Sequence, residues 1–168
     1  QQVLDFWFGD GLNLGWPSDD RSALWFGGGA ALDTQIRERF GALVEQAVSG
    51  GLSDWEAATP TRLALVILLD QFTRNAFRGH ARSFAGDPLA LAAARAMVMS
   101  GQDRALTGVQ RQFVYLPFEH AEDLAAQRES LALFTQLERD EPALAGLLDW
   151  AQRHHDIVER FGRFPHRN

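Results

Sequence analysis

The run LALVILL, from Leu63 to Leu69, narrows most sharply what this chain can fold into. Apolar residues in unbroken succession must be buried on every face. Read alone, a run of that length fits a buried strand as well as a helix. The helical spacing of Leu65, Leu68, Leu69 and Phe72, with few β-branched residues, decides for a helix from about Thr61, just after Pro60, to Phe77. A helix that is apolar all round is a central one, and other helices must pack about it.

The rest of the chain supplies them. Asp33 reads as an N-cap, followed by a stripe of Ile36, Phe40, Leu43, Val44 and Ala47 that stops at Gly50-Gly51. Asp87-Pro88 reads as an N-cap with proline at the first helical position, opening a helix to about Ser100, with Gly101 just beyond. A further pattern begins near Thr107 and meets Pro117, which should kink or divide it. Asp123 can cap the next helix, whose face is marked by Leu124, Leu131, Phe134 and Leu137. Glu141-Pro142 opens a last helical region that breaks near Gly146 and ends at Gly162. No stretch alternates as a strand would, so the expected fold is all-α: short turns between antiparallel helices in a bundle or superhelix, one domain over residues 1–168. No exact 34-residue repeat is visible.

Composition bounds the chemistry. The 168 residues are 46% hydrophobic, enough for a substantial core, and contain no cysteine, which removes disulfides, thiolate metal sites and thiol nucleophiles. No basic leader resembles a signal peptide and no apolar run is long enough to span a membrane, so a cytoplasmic protein is expected. All sixteen cations are arginine and the net charge is −6. Overall acidity argues against nonspecific nucleic-acid binding. The charge is uneven, however: residues 119–141 hold seven acids against two arginines, and residues 153–167 hold four arginines against two acids. A local anion site is compatible with that distribution.

Three polar groups demand an explanation. Asp70 and Arg74 lie one helical turn apart, directly after the apolar run, with Asn75 and Arg78 following; they read either as a structural ion pair or as one wall of a ligand pocket. Glu119, His120 and Asp123 form the second group, in which Asp123 is the better local partner for proton transfer at His120, unless it is used as a cap. The third is the tail, AQRHHDIVERFGRFPHRN. Trp150, His154, Ile157 and Phe161 share a helical stripe, placing His154 where an apolar residue would be expected. Asp156 and Arg160 are spaced to pair. Beyond Gly162, Arg163, His166 and Arg167 can fold back over an earlier surface, where an external anion and the acids of residues 119–141 compete for them. Asp70–Arg78 and Glu119–Asp123 are the expected counterparts of this tail. HExxH, Walker, dinucleotide-binding and GxSxG signatures are absent. Adjacent His154, His155 and Asp156 diverge on a helix, so no metal or other cofactor is expected.

The segments FWFG (6–9), LDQFTRNAFRG (69–79), YLPFEHAEDL (115–124) and HHDIVERFGRFPHRN (154–168) together resemble the bacterial domain-of-unknown-function family numbered 924. The resemblance spans nearly the whole chain. It implies an all-helical protein with tetratricopeptide-like antiparallel helix pairs and a segment continuing past the HRN motif. The motif positions correspond to Asp70, Gln71, Arg74, Asn75, Arg78, Glu119, His120, Glu122, Asp123, His154, Asp156, Arg160, Phe161, Arg163, Pro165, His166, Arg167 and Asn168. Thr73 departs from the family's usual proline. The resemblance brings no biochemical assignment.

Two kinds of function follow from the residues. In the first, Arg74, Asn75, Arg78, Asp156, Arg160, Arg163, His166 and Arg167 bind a small anionic ligand or a peptide carboxylate, for which the rigid arginine fork is suited. In the second, a cofactor-independent enzyme uses His120 or His154 as acid–base with Asp70 or Asp123. A third reading makes the same groups an internal polar network that fixes helix packing.

Overall fold

The computed structural model describes residues 1–167; Asn168, the last motif position, lies outside them. Among the described residues the chain is helical with no strand. It divides into two compact units, Gln1–Ala93 and Ala94–Asn168.

The first unit opens with α1 (Gln2–Phe8) and the single turn α2 (Gly11–Leu14), followed by α3 (Ala30–Val48). Ile36, Phe40, Val44 and Ala47 form the buried stripe of α3, while Leu43 is only half-buried. Gly29, not Asp33, stands at the N-cap; Asp33 lies in the first turn with its carboxylate turned into the protein. The central helix is one rod in three pieces: α4 (Thr59–Ile67), a π-helical turn (Leu68–Phe72) and α5 (Thr73–Ala76). Residues 63–73 are all buried, as the apolar run requires. Phe72 meets Phe40 at 5.1 Å and Trp7 at 5.5 Å between ring centroids, tying α4 and its continuation to α3 and α1. Burying each such ring contributes roughly 1.5–3 kcal/mol.

The π turn inserts one residue into the helical ladder, and the Thr73 N–H donates to the Leu68 carbonyl, five residues back. The Thr73 hydroxyl donates to the Leu69 carbonyl. A Cβ at Gly86 would collide with that same Leu69 carbonyl, so only glycine lets the chain pass the π turn this closely before α6 (Asp87–Ser100) begins.

The second unit continues from α6 through α7 (Gly108–Glu119), α8 (Leu124–Asp140) and α9 (Leu147–Phe161). Thr107 and Gln110 form a reciprocal capping box at the start of α7. Pro117 does not divide α7: it sits inside the last turn, and the helix ends two residues later. Every residue of α7 is buried, including Gln110, Arg111 and Gln112. Arg111 is accommodated by its Nη1 donating to Asp140 at 3.0 Å and its Nε to the Tyr115 hydroxyl at 3.2 Å. That hydroxyl donates in turn to Asp103 at 2.5 Å. Burial first, and the Asp103 carboxylate second, push the Tyr115 phenol up to about 12.

Asp123 caps α8 by accepting the Ala126 N–H at 3.0 Å. Gly146 and Gly162 bound α9 in left-handed conformations, at φ 108° and 72°. The tetratricopeptide-like repeat is not borne out. Equal helix pairs are its basis, whereas here single-turn helices, π turns and 3₁₀ turns interrupt helices of up to nineteen residues. No described helix is long and apolar enough to cross a membrane.

Candidate functional site

In the first unit the polar groups are held by carboxylates of the same unit. Asp70 is 1% exposed within the π turn. Nη1 of Arg74 donates to the Asp70 carbonyl at 2.7 Å, to its Oδ1 at 3.2 Å and to Asp87 Oδ1 at 2.8 Å; Nη2 donates to Asp87 Oδ2 at 3.1 Å. Arg74 thus bridges the central rod to the start of α6. Directly after it, Asn75 donates to Asp33 Oδ1 at 2.9 Å, and one turn on Arg78 grips both oxygens of Asp33 through Nε (2.6 Å) and Nη2 (3.1 Å). Burial works to raise the Asp33 carboxyl, but the hydrogen bonds from Arg78 and Asn75 outweigh it and hold the group below the usual carboxylate range.

The second unit gathers a different cluster. The α9 stripe is rotated by one position from the expected one. Ala151, His155 and Val158 are its buried line, while Trp150 and Phe161 are 57% and 52% exposed. Arg153 lies over the Trp150 ring at 4.9 Å and Arg160 over Phe161 at 5.1 Å, which shields part of each ring from water. Asp156 takes hydrogen bonds from Gln152 and His155, so the expected Asp156–Arg160 pair is not made. Arg160 is turned instead over the Phe161 ring.

His154 sits at the edge of this packing line, half-buried. Its Nδ1 is 2.8 Å from the Trp150 carbonyl and 3.9 Å from Glu119 Oε2. A carbonyl only accepts, so Nδ1 carries the proton and Nε2 keeps its lone pair in the neutral ring. His120, at the end of α7, faces it at 6.2 Å between ring centroids. After Gly162 the chain doubles back and drives Phe164 inward to 1% exposure, 5.5 Å from the His154 ring and 5.9 Å from His166.

Arg167 lies over Phe164 at 4.7 Å and donates to the His120 carbonyl at 2.9 Å and to Glu122 Oε1 at 3.3 Å. The tail arginine has therefore found an acid of residues 119–141, as its competition with an external anion allowed. Arg163 is exposed beside Phe164 in the chain. Asp123 is engaged as the cap of α8 through its Oδ2.

Burial lowers His154 below the ordinary histidine value of 6.5; the bond to Trp150 opposes this, and His120, His166 and Arg167 add to the depression. The folded ring therefore releases its proton at lower pH than the unfolded one. Between the folded value and 6.5 the unfolded chain binds more protons, so stability rises with pH through that window and is lost as pH falls through it. Urea midpoints taken between about pH 7 and about pH 5.5 should fall toward the acid side. The slope should be smaller in His154→Gln, and an unchanged slope would remove His154 from the explanation.

His155, Asp156 and Glu159 bring ligand atoms within 4.8 Å of one another on one turn of α9. Asp156 and Glu159 are exposed, and Asp156 is already engaged by Gln152 and His155.

Sequence reasoning named His120, His154, His166 and Arg167 but did not connect them through Phe164 and Glu122. It assigned Asp33 a capping role and so missed the partner of Asn75 and Arg78. The signal for Glu122 lay in FEHAED, where it sits between the histidine and the cap; Phe164 was signalled by an apolar residue between two arginines after a helix-stopping glycine.

No curated protein matches the chain. A solved structure titled as a protein of unknown function from Agrobacterium tumefaciens is similar to it over 99% of this chain and 86% of that one, with 41% sequence identity and a TM-score of 0.81. The family model described as a bacterial protein of unknown function, DUF924, matches residues 3–168. The four sequence segments, the all-helical architecture and this match agree: the chain belongs to the DUF924 family.

Proposed function

We propose that this is a cytoplasmic protein that binds a small oxyanion at the His120, His154, His166 and Arg167 cluster, with Arg163 at its rim. The observation that carries the reading is the run of rings His120, His154, Phe164 and His166, at 6.2, 5.5 and 5.9 Å between successive centroids, with the Arg167 guanidinium over Phe164 at 4.7 Å. Burial is the main cause of the His154 depression, but His120, His166 and Arg167 add to it, and a bound anion would offset their share. The ligand is a small carboxylate or phosphate, including the carboxylate of a peptide C-terminus. In the first unit, Asp33, Asp70, Arg74, Asn75, Arg78 and Asp87 act as a packing network in this reading, because each arginine fork is directed at a carboxylate of its own unit.

Titration with sodium acetate and sodium phosphate, against sodium chloride at equal ionic strength, should move the histidine ring NMR signals saturably. Arg163→Ala should weaken the response by about threefold, the effect of losing one exposed charge contact. No saturable shift with either anion would overturn the reading. A second reading, general acid–base catalysis, is favoured by one feature of His154: the Trp150 bond fixes its tautomer and leaves Nε2 as a proton acceptor. Turnover of a substrate library that survives in folded His154→Ala would sink it.

A further inference from the structure

Glu122 lies in the loop between α7 and α8, and its carboxylate spans two donors supplied by the tail. Oε2 accepts the Phe164 backbone N–H at 2.7 Å, and Oε1 accepts Arg167 Nη1 at 3.3 Å. Two donors offered to the two oxygens of one planar group make a carboxylate cradle. The donors are fixed. Phe164 is 1% exposed, and Arg167 is held by the His120 carbonyl at 2.9 Å and by the Phe164 face at 4.7 Å. The acceptor is not fixed in the same way, because Glu122 is an exposed loop residue.

We propose that Glu122 is an internal pseudo-ligand: the cradle of Phe164 N–H and Arg167 is a carboxylate site, and an incoming carboxylate displaces Glu122 to occupy it. This rests on the oxyanion reading above and adds to it the ligand class and a means of regulation. Exchanging one carboxylate for another conserves both hydrogen bonds of the cradle, while the Glu122 carboxylate moves into solvent with its charge. Affinity beyond that of a bare carboxylate such as acetate is therefore set by what the remainder of the ligand meets. The charged and titratable groups around the exchange are Glu119 of α7, His120 just after it, His154 of α9, and Arg163 and His166 of the tail. A tetrahedral phosphate matches the two in-plane donors less well than a carboxylate does.

The test compares wild type, Glu122→Ala and Glu122→Gln, with Asp149→Asn, whose carboxylate pairs with Arg153, as a control for general loss of negative charge. Acetate is titrated against chloride at equal ionic strength, and the Phe164 amide resonance is followed. Freeing the cradle should tighten acetate binding by about fivefold in Glu122→Ala, the factor expected for removing an exposed ion-pair competitor, and less but in the same direction in Glu122→Gln. The Phe164 amide should shift when Glu122 is lost and return toward its wild-type position as acetate fills the cradle. Glu122→Gln retains an acceptor for Phe164, so it reports even if Glu122→Ala loosens the tail, and circular dichroism checks that each variant is folded. Wild type that responds to acetate while the Glu122 variants bind it no better overturns the inference and leaves the oxyanion reading standing. An equal gain in Asp149→Asn, or a larger gain for phosphate than for acetate, also overturns it. No response to either anion in any of the proteins overturns both.

Discussion

Arg74→Met is expected to lower the free energy of unfolding by about 3 kcal/mol, the lower end of the range for breaking a buried ion pair. The cost comes from what is left behind. Asp70 is 1% exposed and would lose both Arg74 contacts, keeping among its side-chain donors the Gln71 amide at 2.7 Å. Asp87 would lose a two-pronged partner at the start of α6. Methionine fills much of the aliphatic volume of arginine, so cavity formation contributes little and the loss reports the charges. Adding Asp70→Asn should recover part of the stability, because the buried charge is removed as well, and a double-mutant cycle reads that coupling directly. Urea denaturation is the measurement. A loss under about 1 kcal/mol would mean that the ion pairs do not hold the first unit together, and Arg74 would return as a ligand-binding group. Acetate response in the folded Arg74→Met protein should remain, since the proposed site uses residues of the second unit.

The parts of the fold that were legible in sequence are those written locally. LALVILL announced a helix buried on every face, and residues 63–73 are buried throughout. The cap at Asp123, the break at Gly146 and the glycines just past helix ends at Gly101 and Gly162 fall where residue chemistry puts them. The π turn at residues 68–72 was not legible, because inserting one residue into an apolar helix leaves no compositional mark. Helix α7 concealed its burial behind Gln110, Arg111 and Gln112, and Asp140, which accepts from the buried Arg111, lies far away in sequence. Asp33 illustrates the same limit: local spacing made it a cap, while Asn75 and Arg78, more than forty residues on, made it a buried acceptor.

The candidate site followed this division. Residue chemistry singled out His120, His154, His166 and Arg167. Their arrangement depended on the rotation of α9, and the stripe Trp150–His154–Ile157–Phe161 was off by one residue from the buried line through Ala151, His155 and Val158. A helix carrying apolar residues on two adjacent lines does not declare which one faces the core. Here it is the line with alanine and histidine, and the larger aromatics at 150 and 161 are left outward under arginine cover.

Phe164→Ala should have its largest effect on the tail. Phe164 is the one apolar side chain between Gly162 and Arg167 that is fully buried, and it supplies the surface on which His154, His166 and Arg167 are assembled. Truncating a buried phenylalanine costs about 3–5 kcal/mol when the surroundings cannot collapse. Here the segment follows a left-handed glycine at φ 72°, so the loss should appear first as local opening rather than global unfolding. The amide at position 164, which donates to Glu122 at 2.7 Å, is the reporter. Its protection from hydrogen exchange should fall by about a hundredfold, corresponding to ~3 kcal/mol of docking lost. With Phe164 and Arg167 no longer packed against it, His154 should titrate closer to 6.5, and the acid-side loss of stability should shrink with it. Phe164→Leu should keep most of the protection, because the apolar plug remains. Wild-type protection at position 164 in the alanine variant would show that Glu122 and Arg167 hold the tail without the ring. The histidine cluster would then be organised by the ion pair rather than by burial.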